Sequence, residues 1–230
     1  MGRLFLLSLL LVGGCAKFPE GGTVAGDKRL LFTMRVDGEI RSEYVYIIPL
    51  RVSTETNPDS NGPIPVITYP NANGFVAGLP THFVRYDPLQ AQPFAIYRFT
   101  NTDLTSWALV GYPIRYTPVT TGGKVLAFEI STTQLADSAI LAAALASVQV
   151  NFLTMNRTST ATGASRVIDS LGDNRLPSEI NEFIRIPLTT SGTYDNQRFN
   201  FLEPPSDSAA TRDCPEPDLD ISDWSVEVRL

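Results

Sequence analysis

The stretch from Arg29 to Leu50, RLLFTMRVDGEIRSEYVYIIPL, decides the fold. Two largely apolar runs flank Asp37-Gly38, and an Asp-Gly pair readily adopts the positive φ angles of a type I′ turn. This pattern predicts a β-hairpin. In the second run, residues 44–49 are aromatic or apolar at every position. Both faces of that strand are therefore predicted to be covered, as in a sheet packed on both sides.

Further runs of β-branched and aromatic residues are separated by Pro, Gly, Asn and Asp, a pattern typical of short strands joined by turns. These runs are 64–69, 82–86, 93–99, 106–119, 124–131, 148–154, 182–189 and 223–230. The strands do not alternate regularly with helices. The pattern therefore predicts a mainly β fold, an antiparallel β-sandwich (Ig-like or jelly-roll-like) or a barrel-like variant, as a single domain over residues 28–230. Residues 189–222 are rich in Pro, Ser and Asp and are predicted to be loop.

One segment departs from this pattern. Residues 131–149, STTQLADSAILAAALASVQ, are rich in Ala and Leu. Ser131 and Gln134 have the spacing of a capping box. We predict one short helix over residues 134–146, whose apolar side covers an open end or edge of the sheets.

The first fourteen residues have the order of an export signal: a positive charge at Arg3, an apolar run from Leu4 to Val12, and then small residues. The apolar run is about half of the ~20 residues that a transmembrane helix needs. Residues 12–15, VGGC, resemble the lipobox of bacterial lipoproteins. The small residues fit a peptidase cleft, and the thiol of Cys15 is the nucleophile that takes the lipid.

The resemblance implies a signal peptide over residues 1–14 that is cleaved before Cys15. Cys15 then carries a diacylglyceryl group and an N-acyl chain such as palmitate, and residues 15–27 form a tether. Because Ala16 stands where Asp favours inner-membrane retention in Gram-negative lipoproteins, the expected place is the outer membrane, facing the periplasm or the cell surface. An ordinary secretory signal and a buried N-terminal helix are the alternatives.

The chain has a net charge of −6. An acidic surface repels phosphate backbones, so nucleic acid is not expected as a partner. The same charge disfavours peripheral binding to anionic lipid, which leaves the acyl chains as the membrane attachment.

The chain has two cysteines. If Cys15 carries lipid, Cys214 has no intramolecular partner, and a disulfide framework is excluded. The polar, proline-rich context of Cys214 favours a tolerated thiol. An intermolecular disulfide, a reactive thiol and a Cys15–Cys214 bridge are the alternatives.

His82 is the one histidine. A Ser-His-Asp triad would have to use it, and no G-x-S-x-G elbow accompanies it. A zinc site would need carboxylates for nearly all other ligands. We interpret His82 as a half-buried residue at a strand edge. Paired carboxylates of the kind used in glycoside hydrolysis are not singled out by any motif.

Three carboxylates, Asp218, Asp220 and Asp223, lie close together near the chain end. Oxygen ligands at short spacing can hold Ca²⁺, but the segment lacks the Gly and Glu of an EF-hand loop. A calcium site and a solvated acidic turn are the two interpretations, and the turn is favoured. No other cofactor is expected.

Three aromatic residues, Trp107, Tyr112 and Tyr116, fall in one predicted strand. If exposed, the row could stack on sugar rings; if buried, it is core, the interpretation we favour because aromatic side chains contribute most to buried area. The segment from residue 37 to residue 69 resembles the DOMON and carbohydrate-binding sandwich superfamily, whose members carry sugars or haem. A haem iron would need His82, Met34 or Met155 as an axial ligand.

Together these features predict a lipid-anchored cell-envelope protein whose β-sandwich is a non-catalytic binding module for a glycan or a protein. The alternatives are an envelope hydrolase that uses carboxylates and a structural lipoprotein that organises partners. The single histidine and the missing nucleophile motif favour binding over catalysis.

Overall fold

The computed structural model describes residues 27–66, 73–157, 167–172, 183–198, 214 and 216–230. These residues form fifteen strands, one 3₁₀ helix and one α-helix. In chain order the elements are β1 (Arg29–Val36), β2 (Tyr44–Ser53), β3 (Ile64–Pro65), β4 (Val76–Ala77), β5 (His82–Tyr86), β6 (Phe94–Phe99), β7 (Trp107–Gly111), β8 (Arg115–Tyr116), β9 (Val125–Ser131), the 3₁₀ helix (Thr132–Gln134), α1 (Ala139–Ala144), β10 (Ser147–Val150), β11 (Leu153–Asn156), β12 (Val167–Ser170), β13 (Ile184–Pro187), β14 (Gly192–Asp195) and β15 (Ile221–Arg229).

Two antiparallel sheets contain most of these strands. Sheet A has the order β14-β15-β1-β9-β8, and sheet B has the order β12-β11-β2-β5-β6-β7. Strand β2 is long enough to pair along one edge with β10 and β11 in succession, and β13 extends the sheet beyond β10. Every pairing between described strands is antiparallel, so the predicted mainly β, antiparallel sandwich with one short helix is confirmed.

The predicted hairpin at Asp37-Gly38 is wrong. Strand β1 pairs with β9 and β15 in sheet A, whereas β2 belongs to sheet B. The backbone N–H groups of Asp37 and Gly38 donate to the carbonyl oxygens of Asp220 and Pro217. Gly38 does not have the positive φ of a type I′ turn. The Asp-Gly pair therefore links two sheets, and contacts distant in sequence decide its conformation.

The two faces of β2 are both covered, as the sequence predicts. Tyr46, Ile48 and Leu50 point into the core between the sheets. There they belong to one hydrophobic cluster with buried side chains of both sheets, including those of β1, β9 and β15. Val45 and Ile47 point to the outer face of sheet B, where a second cluster forms under the β3–β4 ribbon. Alternation along the strand places these residues on opposite faces.

The helical segment is shorter than predicted. The Ser131–Gln134 capping box is present, but it caps the 3₁₀ helix. The α-helix begins later because the Ser138 hydroxyl accepts the N–H of Leu141 at 3.2 Å and acts as its N-cap. Helix α1 buries Ala142, whereas its larger apolar residues Ile140 and Leu141 are exposed, so the prediction that its apolar side covers the sheets is wrong for these two residues.

The predicted strand over residues 106–119 is two strands in different sheets. Strand β7 ends at Gly111 and lies at the edge of sheet B, whereas β8 begins at Arg115 and pairs with β9 in sheet A. Strands β4, β12 and β14 were not predicted, and β14 lies inside the predicted loop. Among the described residues, no helix is long and apolar enough to cross a bilayer.

Candidate functional site

Aromatic side chains cover the outer face of sheet B where β5, β6 and β7 lie side by side. The register pairs Phe83 with Tyr97 and Phe99 with Trp107. Paired residues of an antiparallel sheet share a face, so these four rings form one outward platform. Phe75, on the loop before β4, packs against the platform from above.

The platform is held by close ring contacts. Phe83 and Tyr97 stack with centroids 4.9 Å apart and planes inclined by 17°. Trp107 meets Phe83 edge-on at 5.7 Å and Phe99 at 6.2 Å. Phe83 is buried, whereas Tyr97 and Phe99 are half-buried and Trp107 is exposed. Phe75 therefore covers Phe83, and the part of the platform that is open to solvent consists of Trp107 with the half-buried rings of Tyr97 and Phe99.

The expectation that the aromatic row is core is wrong. Trp107 is 42% exposed, Tyr112 46% and Tyr116 37%. Tyr116 lies in the other sheet and contacts Phe94 at 5.1 Å, so it does not belong to the platform. The alternation along the sequence shows which residues share a face, but it does not show whether another layer covers that face.

A groove of about 230 Å³ runs beside the platform. Its apolar wall contains Tyr97, Leu109 and Tyr112. Its polar wall contains Arg85 from strand β5 and three side chains from the β5–β6 connection, Asp87, Gln90 and Gln92. These groove residues outside the aromatic row were not predicted, because their positions in a turn carry no motif.

Asp87 organises the polar wall. Its buried carboxylate accepts from Arg157 Nη2 at 2.7 Å, from Arg85 Nη2 at 2.5 Å and from the N–H of Leu89 at 3.1 Å. Burial raises the pKa of Asp87, but hydrogen bonds from Arg157 and Leu89 and the charge of Arg85 outweigh it and leave the pKa below its ordinary value. The carboxylate therefore stays ionised and holds two guanidinium groups in place.

His82 lies at a second depression, a cleft of about 650 Å³ at the end of the sandwich beneath α1. It is buried and paired on both sides in sheet B, so the predicted half-buried edge position is wrong. Burial, with a smaller effect from the charge of Arg98, lowers its pKa to about 4 against an opposing effect of Asp137. The imidazole is neutral at pH 7, and its Nδ1 lies 3.0 Å from the hydroxyl of Thr81.

Neither depression brings two carboxylates together. Asp137 is the carboxylate of the cleft, and both of its oxygens bind the Arg98 guanidinium. Asp87 is the carboxylate of the groove. The geometry of the described residues thus offers a binding surface more readily than the facing acid pair of a glycoside hydrolase.

The three predicted calcium ligands have separate surroundings. Asp218 forms an ion pair with Arg41 and accepts the N–H of Glu39 at 2.7 Å. Asp220 is buried and Asp223 is exposed. Within the part of the chain that the structure describes, no group of three or more His, Cys, Asp or Glu side chains is placed to hold a metal.

The remaining predicted residues fall in the body's interior or outside the described ranges. Met34 belongs to the core between the sheets and Met155 to the outer cluster of sheet B. Cys214 is buried, with Sγ 3.4 Å from the carbonyl oxygen of Glu216. Cys15, with the whole of residues 1–26, lies outside the described residues.

Comparison with known proteins gives no relative. No protein-family model matches the chain, and no curated protein or solved structure matches it. Function is therefore inferred from the geometry and chemistry of the chain itself.

Proposed function

We propose that this protein is a lipid-anchored component of the bacterial envelope whose β-sandwich binds a glycan without catalysis. The exposed aromatic platform beside a polar groove carries the proposal. Acyl chains on Cys15 attach it to the membrane, with the outer membrane as the favoured place.

The platform and groove match the two faces of a sugar ring. The C–H face of a pyranose packs on an aromatic plane, and its hydroxyls need donors and acceptors at the rim. Trp107, Tyr97 and Tyr112 supply the aromatic surfaces. Gln90 and Gln92 supply amides that both donate and accept. A pocket of this kind, apolar with a few placed polar groups, is the usual form of a small-ligand site.

The charges of the groove favour a neutral sugar. Arg85 and Asp87, the two charged residues that line the groove, form an ion pair and carry opposite charges, whereas Arg157 binds Asp87 from outside the lining. An acidic sugar would have to compete with Asp87 for Arg85, and this competition would weaken the ion pairing of a buried carboxylate. The proposed ligand is therefore an uncharged oligosaccharide, with one ring on Trp107 and a neighbouring ring at Tyr112.

A glycan array tests the proposal. The chain from residue 15, carrying Cys15→Ser so that it stays soluble, is applied to an array of neutral and acidic envelope glycans. We expect binding to neutral glycans, and the affinity for the best glycan is then measured by calorimetry. Binding to none of the arrayed glycans overturns the glycan assignment.

Two variants locate the site. Tyr112→Ala should weaken binding roughly tenfold or more, because stacking of a ring on an aromatic side chain contributes about 1–3 kcal/mol. Leu89→Ala is the control, since Leu89 is the more exposed residue and does not line the groove. Equal affinities for both variants would place the site elsewhere.

The anchor has its own test. Intact mass of the protein isolated from cells should show loss of residues 1–14 and added acyl chains. The variant Cys15→Ser should remain uncut and without lipid. A cell-derived chain that lacks acyl groups would refute the anchor and leave the glycan test unaffected.

The edge position of β7 supports one alternative, a protein ligand. Strand β7 ends sheet B in the described residues and presents Leu109 and Val110 to solvent. An open edge accepts a strand from another chain through backbone hydrogen bonds. A photo-crosslinking amino acid at position 110 should then capture a protein in intact cells, with position 89 as the control.

A further inference from the structure

The end of the sandwich at which β1 begins carries several exposed aliphatic side chains, among them Ile140, the most exposed large hydrophobic residue of the described ranges. Ile140 on α1 is 83% exposed and Leu141 is 48% exposed. Leu79 lies across the cleft from Leu141, and Leu230 extends beyond β15; both are about half exposed or more. All four residues lie at one end, because β1 begins where β9, β15 and β2 finish. We call Leu79, Ile140, Leu141 and Leu230 the apolar end.

The tether enters the body at this same end. Lys28 Nζ donates to the carbonyl oxygens of Ala143, at 3.1 Å, and Leu145. The hydroxyl of Ser131 donates to Asp27. The first described residues are thus fastened to the segment that carries α1. Residues 15 to 27 span at most about 40 Å when fully extended, so an anchor at Cys15 keeps this end close to the bilayer.

Charge favours the same orientation. The opposite end carries four exposed carboxylates, Asp37, Glu43, Glu216 and Asp223, beside two exposed arginines, Arg35 and Arg41, and we call it the acidic end. At the apolar end Arg98 binds Asp137 and Arg51 binds Asp59, and Glu55 and Asp103 are exposed. Carboxylates outnumber arginines among the exposed residues named at the acidic end, so an anionic lipid surface repels that end.

We propose that the apolar end is a membrane-docking surface whose occupant is the lipid bilayer. Ile140 and Leu141 enter the interfacial layer, and the cleft beneath α1 opens toward the lipid. An exposed apolar patch on one end of a tethered body is explained by a lipid surface that covers it. The inference rests on the proposed anchor, which brings this end to the membrane.

In this orientation the glycan platform lies on the side of the body. The outer face of sheet B runs from the docked end to the acidic end, so the sugar site stays open to the aqueous phase. The anchor, the docking surface and the binding face then occupy three different parts of the molecule.

Quenching by brominated lipid tests the docking. The chain from residue 15 is coupled through the Cys15 thiol to a maleimide-bearing phospholipid in vesicles of phosphatidylcholine and phosphatidylglycerol. This coupling supplies an anchor whether or not cells acylate Cys15. In a Trp107→Phe background, one variant carries Ile140→Trp and its matched control carries Glu43→Trp, both at exposed positions.

We expect bromine on the upper acyl chain to quench Ile140→Trp at least about twofold more than Glu43→Trp, since docked side chains reach the acyl boundary. Trp224 is buried and contributes the same background fluorescence in both variants. Hydrogen exchange of residues 138–145 should slow on vesicles while residues 37–43 remain unchanged. Equal quenching of the two variants, or no protection of α1 on protein-loaded vesicles, overturns the docking surface.

Failure of docking and failure of the anchor give different results. Absence of acyl chains in the cell-derived protein refutes the anchor, whereas the coupled vesicles still report docking. Normal acylation together with equal quenching refutes docking alone.

Discussion

Gly38 and Asp218 approach so closely that a side chain at position 38 has no room. A Cβ on Gly38 would lie 2.2 Å from Oδ1 of Asp218 and 2.6 Å from its backbone nitrogen. That carboxylate oxygen accepts the N–H of Glu39 at 2.7 Å, and Oδ2 binds Arg41. The glycine therefore allows the segment before β15 to close over the end of β1.

Gly38→Ala should be strongly destabilising, by about 2–4 kcal/mol, because the added methyl group must displace backbone as well as a carboxylate. Chemical denaturation measures the change. Gly192→Ala is the matched control, since a Cβ there meets nothing within 4 Å. Similar losses for both variants would contradict the close approach.

His82 should make stability depend on pH. The unfolded chain binds a proton on this imidazole near pH 6.5, whereas burial lowers the folded-state pKa to about 4. Between these values the unfolded state holds more protons, so stability falls as the pH falls through this window. This shift in pKa corresponds to a loss of about 3 kcal/mol in the free energy of unfolding once the pH has fallen below both values.

The variant His82→Gln isolates this effect. The free energy of unfolding of wild type relative to His82→Gln should decline from pH 6.5 to pH 4 and be constant above pH 7. The carboxylates titrate in both proteins, so their contribution to the pH dependence cancels when the two free energies of unfolding are subtracted. A difference that does not change with pH would show that folding leaves the pKa of this imidazole unchanged.

Asp87→Asn should cost about 2–3 kcal/mol, because a buried carboxylate loses its charge while Arg85 and Arg157 remain beside it. Asp137→Asn should have little effect, since the Arg98–Asp137 pair is largely exposed. Thermal unfolding compares the two. The loss for Asp87→Asn should shrink in acid, because the pKa of Asp87 is lowered and its contribution disappears as the pH falls through that pKa.

Cys214 should react slowly with alkylating reagents in the folded protein and rapidly in denaturant, because its side chain is buried. The same burial predicts that the protein forms no intermolecular disulfide under native conditions. Mass spectrometry after timed alkylation measures the modification. Rapid labelling without denaturant would show that the segment around Cys214 opens readily.

Local sequence patterns predicted the strands better than their partners. Runs of β-branched and aromatic residues between turn residues identified β5, β6 and β9, and alternation identified β15, which buries one face. Partners depend on contacts between distant residues. For this reason the Asp-Gly pair between β1 and β2 does not form the predicted hairpin. Strand β1 pairs instead with β9 and β15, which lie far away in the sequence.

The candidate site was predicted in part. Trp107 and Tyr112 were identified from their spacing, but their exposure depends on the ends of sheet B and on where the chain crosses to sheet A. Asp87, Gln90 and Gln92 lie in an ordinary turn, and only the fold brings them beside Tyr97 and Tyr112. The apolar end is also formed only by the fold, because Leu79 and Ile140 are 61 positions apart in the sequence.

The place of β15 has a consequence for biogenesis. It lies between β14 and β1, and its register with β1 runs from Arg29–Arg229 to Val36–Ile221. A nascent chain that emerges in order from a ribosome cannot complete sheet A until residues 221–229 have emerged. Strand β1 has only β9 beside it until then, so sheet A is completed after every other described strand has been synthesised.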